Sequence, residues 1–120
     1  MKYLCLISME SKIWDALPPA EQEAIVAEHF TYDETLRQRG QLLATEALQP
    51  VETATTVRVR RGKLTTTDGP FAETKEQIGG FYLVEARDLN EAIQIAGGIP
   101  SARLGSVEVR PVLDFSAPSA

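Results

Sequence analysis

Hydrophobic and polar positions alternate along this chain with two different spacings, and the switches between them mark its elements. Residues 2–8, KYLCLIS, are apolar on both faces, the pattern of a central strand. From Pro19 to Arg39 the spacing turns helical, with Ile25, Val26, His29, Phe30, Tyr32 and Leu36 on or beside one stripe. Pro19 suits a first turn, Glu21 and Glu23 suit the positive end of the helix dipole, and Gly40 is a stop signal. The intervening ESKIWDALPP is expected to be a loop or short turn in which Trp14 packs. QLLATEAL predicts a second strand and QPVETAT a connector. In TTVRVRRGKLTTTDG, Val57 and Val59 alternate with Arg58 and Arg60 ahead of an Arg-Gly turn, which predicts a hairpin. GFYLVEA is another strand, rich in β formers. Asp88 is placed to cap a second helix, with Glu91 three residues on and Ala92, Ile93 and Ala96 as its buried face; GGIP ends it. In the last strand, SVEVRPVL, Val107, Val109 and Leu113 share one face while Glu108 and Arg110 share the other.

The order is β-α-β, a hairpin insertion, then β-α-β. It predicts an α+β fold of the ferredoxin-like split βαβ type, an antiparallel sheet with both helices on one face. The other face is left over. Lys2, Glu108 and Arg110 lie on it beside apolar residues, a mixed character that fits sheet-to-sheet packing in a homodimer with a small interior cavity.

Composition narrows the function classes. A chain of 120 residues, 43% hydrophobic and 24% charged, fits one soluble domain over residues 1–115 with a flexible small-residue tail, SAPSA, over 116–120. A net charge of −5 gives no general attraction to phosphate backbones, so nucleic acid is not an expected partner. The single cysteine, Cys5, precludes an intrachain disulfide and reads as a small buried hydrophobe. The apolar run at the N-terminus is too short for a signal peptide, and no segment reaches the ~20 apolar residues of a membrane span, so the expected location is the cytoplasm. Phosphate-binding Gly-rich loops, HExxH, nucleophile elbows and dinucleotide fingerprints are all missing, which leaves the cofactor unknown; one histidine with scattered carboxylates indicates no metal.

The chemistry-bearing stretch is DGPFAETKEQIGGF, residues 68–81. Asp68 fits two roles, a general base or a turn residue ahead of Gly69 and Pro70. Phe71 fits a core or interface anchor, Glu73, Lys75 and Glu76 a polar pocket lining or a solvated loop, and Gly79–Gly80 a bulge or a close backbone approach, to a ligand among others. Glu108 and Arg110 would bind a charged small molecule in the dimer cavity or pair with each other. His29, the one histidine, fits either a proton shuttle or an inert helix histidine at the edge of the core.

This stretch, together with MKYLCLI, TATTVRVRRGKL and GSVEVRPV, resembles the YCII-related superfamily, and within it the branch named for its DGPF motif, over residues 1–113. The resemblance implies a dimeric α+β barrel and a histidine–aspartate pair in a cleft. His29 looks like that histidine. Relatives often carry Asp-Pro after the second helix where this chain has Ile99–Pro100, so Asp68 is the carboxylate considered in its place. Neighbouring genes for extracytoplasmic-function sigma factors are frequent in the family, which implies an accessory role. The expectation is a small-molecule enzyme with acid–base chemistry on His29 and Asp68. The alternative is a non-catalytic metabolite-binding or regulatory module.

Overall fold

The computed structural model describes residues 1–116, so the tail expected over 116–120 lies, apart from Ser116, outside the described residues. The elements are β1 (Lys2–Met9), α1 (Ser11–Asp15), α2 (Pro19–Gln38), β2 (Leu42–Ala47), β3 (Thr55–Arg60), β4 (Lys63–Asp68), β5 (Gln77–Glu85), α3 (Leu89–Gly98) and β6 (Ser106–Pro111). Short 3-10 turns occupy Val51–Thr53 and Pro100–Arg103. The fold is α+β. Where a loop or turn was expected after β1, the five-residue α1 forms; Gln22 Nε2 donates to the Trp14 carbonyl (2.8 Å) and ties it to α2.

Four strands make one sheet in the order β2-β5-β1-β6, with every neighbouring pair antiparallel. One face of this sheet packs on the helices. Tyr3, Cys5 and Ile7 of β1 and Tyr82 and Val84 of β5 form the core with Leu36 of α2 and Ala92, Ile95 and Ala96 of α3. Alternation along β1 and β5 sends Leu4, Leu6, Phe81 and Leu83 to the other face, where they are only half-buried. A bulge opposite Ile7 and Ser8 skips Gly79, and it returns Ile78 to that same free face.

The two helices bury narrower stripes than their apolar residues suggest. Along α2, Ile25, Asp33 and Leu36 are buried and His29 and Tyr32 half-buried, while Val26 and Phe30 are exposed. Along α3 the buried positions are Ala92, Ile95 and Ala96; Ile93, expected inside, is 48% exposed. Leu113, expected to share the buried face of β6, lies beyond the strand and is 73% exposed. Asp88 caps α3 as expected, accepting from the Glu91 N–H at 2.9 Å.

The hairpin β3–β4 forms a separate two-stranded sheet. Its base is held by the Gly69 N–H to the Ala54 carbonyl (2.8 Å) and the Thr56 hydroxyl to the Gly69 carbonyl (2.8 Å). Gly69 has φ of +101°, a conformation that favours glycine. The chain spans 50 × 45 × 19 Å with a radius of gyration of 16.5 Å, where about 14 Å is usual for a compact chain of this length.

Candidate functional site

Four polar side chains meet where α2, β5 and the Pro100–Arg103 turn converge. His29 and Asp33 stand one helical turn apart on the inner stripe of α2. Tyr82 points from β5 into the helix-facing layer, 2% exposed. Ser101, 8% exposed, is presented by the 3-10 turn, which Arg103 clamps onto α2 through its ion pair with Glu28 (2.6 Å). The Tyr82 hydroxyl donates to Asp33 Oδ1. His29 Nδ1 lies 2.9 Å from Tyr82 Oη, and His29 Nε2 lies 2.7 Å from Ser101 Oγ.

The proton positions follow from this geometry. A phenol has one proton, and Tyr82 gives it to Asp33. Only lone pairs of Tyr82 Oη then face His29, so Nδ1–H is the donor. In a neutral imidazole this leaves Nε2 as the acceptor, and the Ser101 hydroxyl donates to it. The result is a directed chain, Ser101 to His29 to Tyr82 to Asp33. Chemically it joins a hydroxyl to a base and orients that base through a buried carboxylate.

Electrostatics keep the imidazole neutral. Burial lowers the His29 pKa below its usual 6.5; Asp33 and Glu28 pull the other way, and Arg103 adds to the lowering. Burial raises the Tyr82 pKa, reinforced by its bond to Asp33, so this phenol stays protonated. Cys5 is pushed up to about 11 by burial and is not a nucleophile at neutral pH.

The sequence-derived candidates fall elsewhere. Asp68 is exposed at the end of β4, opposite Thr55. Among the described residues its carboxylate makes no hydrogen bond, and Pro70, two residues on, has no N–H to offer it. Phe71 is 80% exposed, with the Arg58 guanidinium 5.7 Å from its ring centroid. Glu73 is exposed, and Lys75 pairs loosely with Glu10 at 3.8 Å. Gly80 is a close backbone approach: an added Cβ would stand 2.9 Å from the Glu46 carbonyl oxygen. Glu108 and Arg110 pair with each other at 2.7 Å on the free face. None of these residues hydrogen-bonds to His29. An open depression of about 500 Å³ lies between α3 and the end of α2, lined by Tyr32, Arg39, Gln41, Arg87, Asn90 and Gln94; His29 does not line it. Among the described residues no group of three or more His, Cys, Asp and Glu side chains is arranged to hold a metal ion, and no helix is long and apolar enough to cross a membrane.

The family model of the YCII-related domain matches residues 1–116. The chain belongs to the YCII-related domain family. An uncharacterised protein of Rhizobium meliloti (strain 1021) is 34% identical to it over 114 residues, covering 93% of this chain and 92% of that one.

For this YCII-related chain the lowered His29 pKa has a measurable consequence. The unfolded chain binds the imidazole proton more tightly than the folded one, so stability rises with pH between the lowered folded pKa and the ordinary 6.5. Urea midpoints are expected to fall as pH drops through that window, and His29→Gln is expected to flatten part of the slope. An identical slope in the variant means that His29 protonates freely in the folded protein.

Proposed function

We propose that this protein is a small-molecule acid–base enzyme of the DGPF branch, acting in the cytoplasm as a homodimer with His29 as its proton-handling group. The observation that carries the reading is the chain from Asp33 through Tyr82 and His29 to Ser101, with the base neutral and its Nε2 lone pair committed to a hydroxyl. A neutral base with a lowered pKa accepts a proton at physiological pH. In the forward direction a proton leaves the substrate for Nε2, directly or by way of Ser101 Oγ. The imidazolium that forms keeps Nδ1–H on Tyr82, and the Asp33 carboxylate stabilises its charge through the phenol without taking the proton. Asp33 is thus preferred over Asp68 as the carboxylate working with His29, because a hydrogen-bonded path joins it to the ring.

The strand order β2-β5-β1-β6, with both helices on one face, supports a ferredoxin-like protomer. The apolar free face supports packing on a second copy as a dimeric α+β barrel. A ligand held at the dimer by Glu108 and Arg110 would lie across the sheet from His29, so the substrate of the proton transfer is proposed to enter beside Ser101 Oγ, with Phe71, Glu73, Lys75 and Gly80 as further residues proposed to meet a ligand.

The test is proton exchange. A panel of small carbonyl compounds and carboxylic acids is incubated with the protein in D2O and followed by proton NMR. A compound is expected to exchange or turn over, with the rate falling about 10²–10⁴-fold in His29→Gln. Exchange at the wild-type rate in the variant overturns the assignment of His29. A compound that raises the melting temperature without exchange or turnover favours the metabolite-binding or regulatory module, which includes an accessory role beside an extracytoplasmic-function sigma factor.

A further inference from the structure

The hairpin β3–β4 lacks what a hairpin needs. An isolated two-stranded ribbon is marginal in water and requires a packing surface. Its pairing places Val57, Val59 and Leu64 on one face, with Val59 opposite Leu64. These three are 57%, 57% and 64% exposed, so the apolar face has no cover within the protomer. The other face carries Arg58, Arg60 and Lys63, and Arg61 lies in the turn with a φ of +54°. Four of the chain's 12 basic residues therefore fall within residues 58–63, which hold no acidic residue. The remainder has eight basic side chains against 17 acidic ones.

The arm and the body carry opposite charge, and each leaves apolar surface uncovered. The body's share is the free sheet face of Leu4, Leu6, Phe81 and Leu83, with Ile78 at its end. The large radius of gyration has the same origin, an arm extended away from its own protomer. We propose that the hairpin is a clasp for a second copy of this chain. Val57, Val59 and Leu64 pack on the partner and extend the contact made by the free sheet faces, while Arg61 at the tip and the long side chains of Arg60 and Lys63 beside it reach round the ribbon's end to the partner's acidic surface. The DGPF loop anchors the clasp, because Gly69 closes the hairpin base and Phe71 stacks on Arg58. This inference rests on the homodimer proposed above.

The experiment is sedimentation equilibrium of the full chain, wild type against Val59→Lys/Leu64→Lys, with circular dichroism as the check on folding. The wild type is expected to be dimeric, its dissociation constant rising with salt as exposed charge pairs are screened. The apolar-face variant is expected to raise that constant at least tenfold while keeping its secondary structure. Arg60→Glu/Lys63→Glu serves as a second variant, needed if the first does not fold; it is expected to weaken the dimer and flatten its salt dependence. Two folded variants with an unchanged constant overturn the clasp and leave the dimer standing on the sheet faces. A monomeric wild type overturns both, and a monomer that co-sediments with phosphatidylglycerol vesicles would assign the arm to a lipid surface instead.

Discussion

Tyr82→Phe is expected to destabilise the fold by about 3 kcal/mol, far more than the loss of one ordinary hydrogen bond, which is worth about 1. The substitution keeps the ring and its packing, so the effect isolates the hydroxyl. Two side chains of the site depend on that hydroxyl. Asp33, 8% exposed, loses the donor that satisfies its Oδ1, and His29 loses the acceptor for Nδ1–H. A buried carboxylate left without its partner carries a larger penalty than a neutral group. The double variant Tyr82→Phe/Asp33→Leu is therefore expected to recover much of the loss, because both members of the pair are then apolar. Urea unfolding of the two singles and the double decides it. Additive losses mean that Tyr82 and Asp33 are not coupled, and the directed chain to His29 breaks at its first link.

Most of the framework was legible because period-2 and period-3.6 patterns are local. β1, α2, the hairpin and β6 were all expected within a few residues of where they lie. One error shows the reason. Ile93 stands one residue past the buried Ala92, which is about 100° round the helix, just as the exposed Phe30 stands one past the half-buried His29. Sequence shows that a stripe is apolar; how wide a stripe the sheet covers is set by packing. The stripe that is covered on α2 runs through Ile25, His29, Tyr32, Asp33 and Leu36.

The candidate site was half legible. His29 stood out as the single histidine. Asp33 was overlooked although a signal existed, a carboxylate four residues on and inside the apolar stripe, where a merely solvated residue would be out of place. Tyr82 and Ser101 lie 53 and 72 residues away from His29, and only the crossing of β5 behind α2 and the turn after α3 brings them in. In Asp-Gly-Pro-Phe the backbone and the ring, rather than the acid, make the local contacts, since Gly69 binds the hairpin base and Phe71 meets the Arg58 guanidinium, while the Asp68 carboxylate makes no hydrogen bond among the described residues. Such a corner carries residue types that also serve in active sites, and composition does not separate the two uses.

Gly105→Ala is expected to destabilise the protein by about 3 kcal/mol or more, at the upper end of overpacking substitutions. Gly105 links the Pro100–Arg103 turn to β6, its N–H bonded to the Ser101 carbonyl at 3.1 Å. An added Cβ would overlap the Ser8 carbonyl oxygen and come within 3.1 Å of the Met9 Cα. Both obstacles are backbone of β1, so relief requires β6 or the turn to move. Ser101 rides on that turn, and its hydroxyl is the donor to His29 Nε2. The substitution should therefore alter the His29 titration seen by NMR as well as the urea midpoint. Gly97→Ala is the matched control: it lies in α3 with no atom within 4 Å of the added Cβ, and helix propensity favours alanine by up to about 1 kcal/mol. A stabilised Gly97→Ala beside a destabilised Gly105→Ala with a shifted His29 titration would tie the β1–β6 register to the geometry of the site. A Gly105→Ala protein as stable as wild type would mean that the turn presenting Ser101 moves at little cost, and the chain at His29 would lose the rigid support that its chemistry requires.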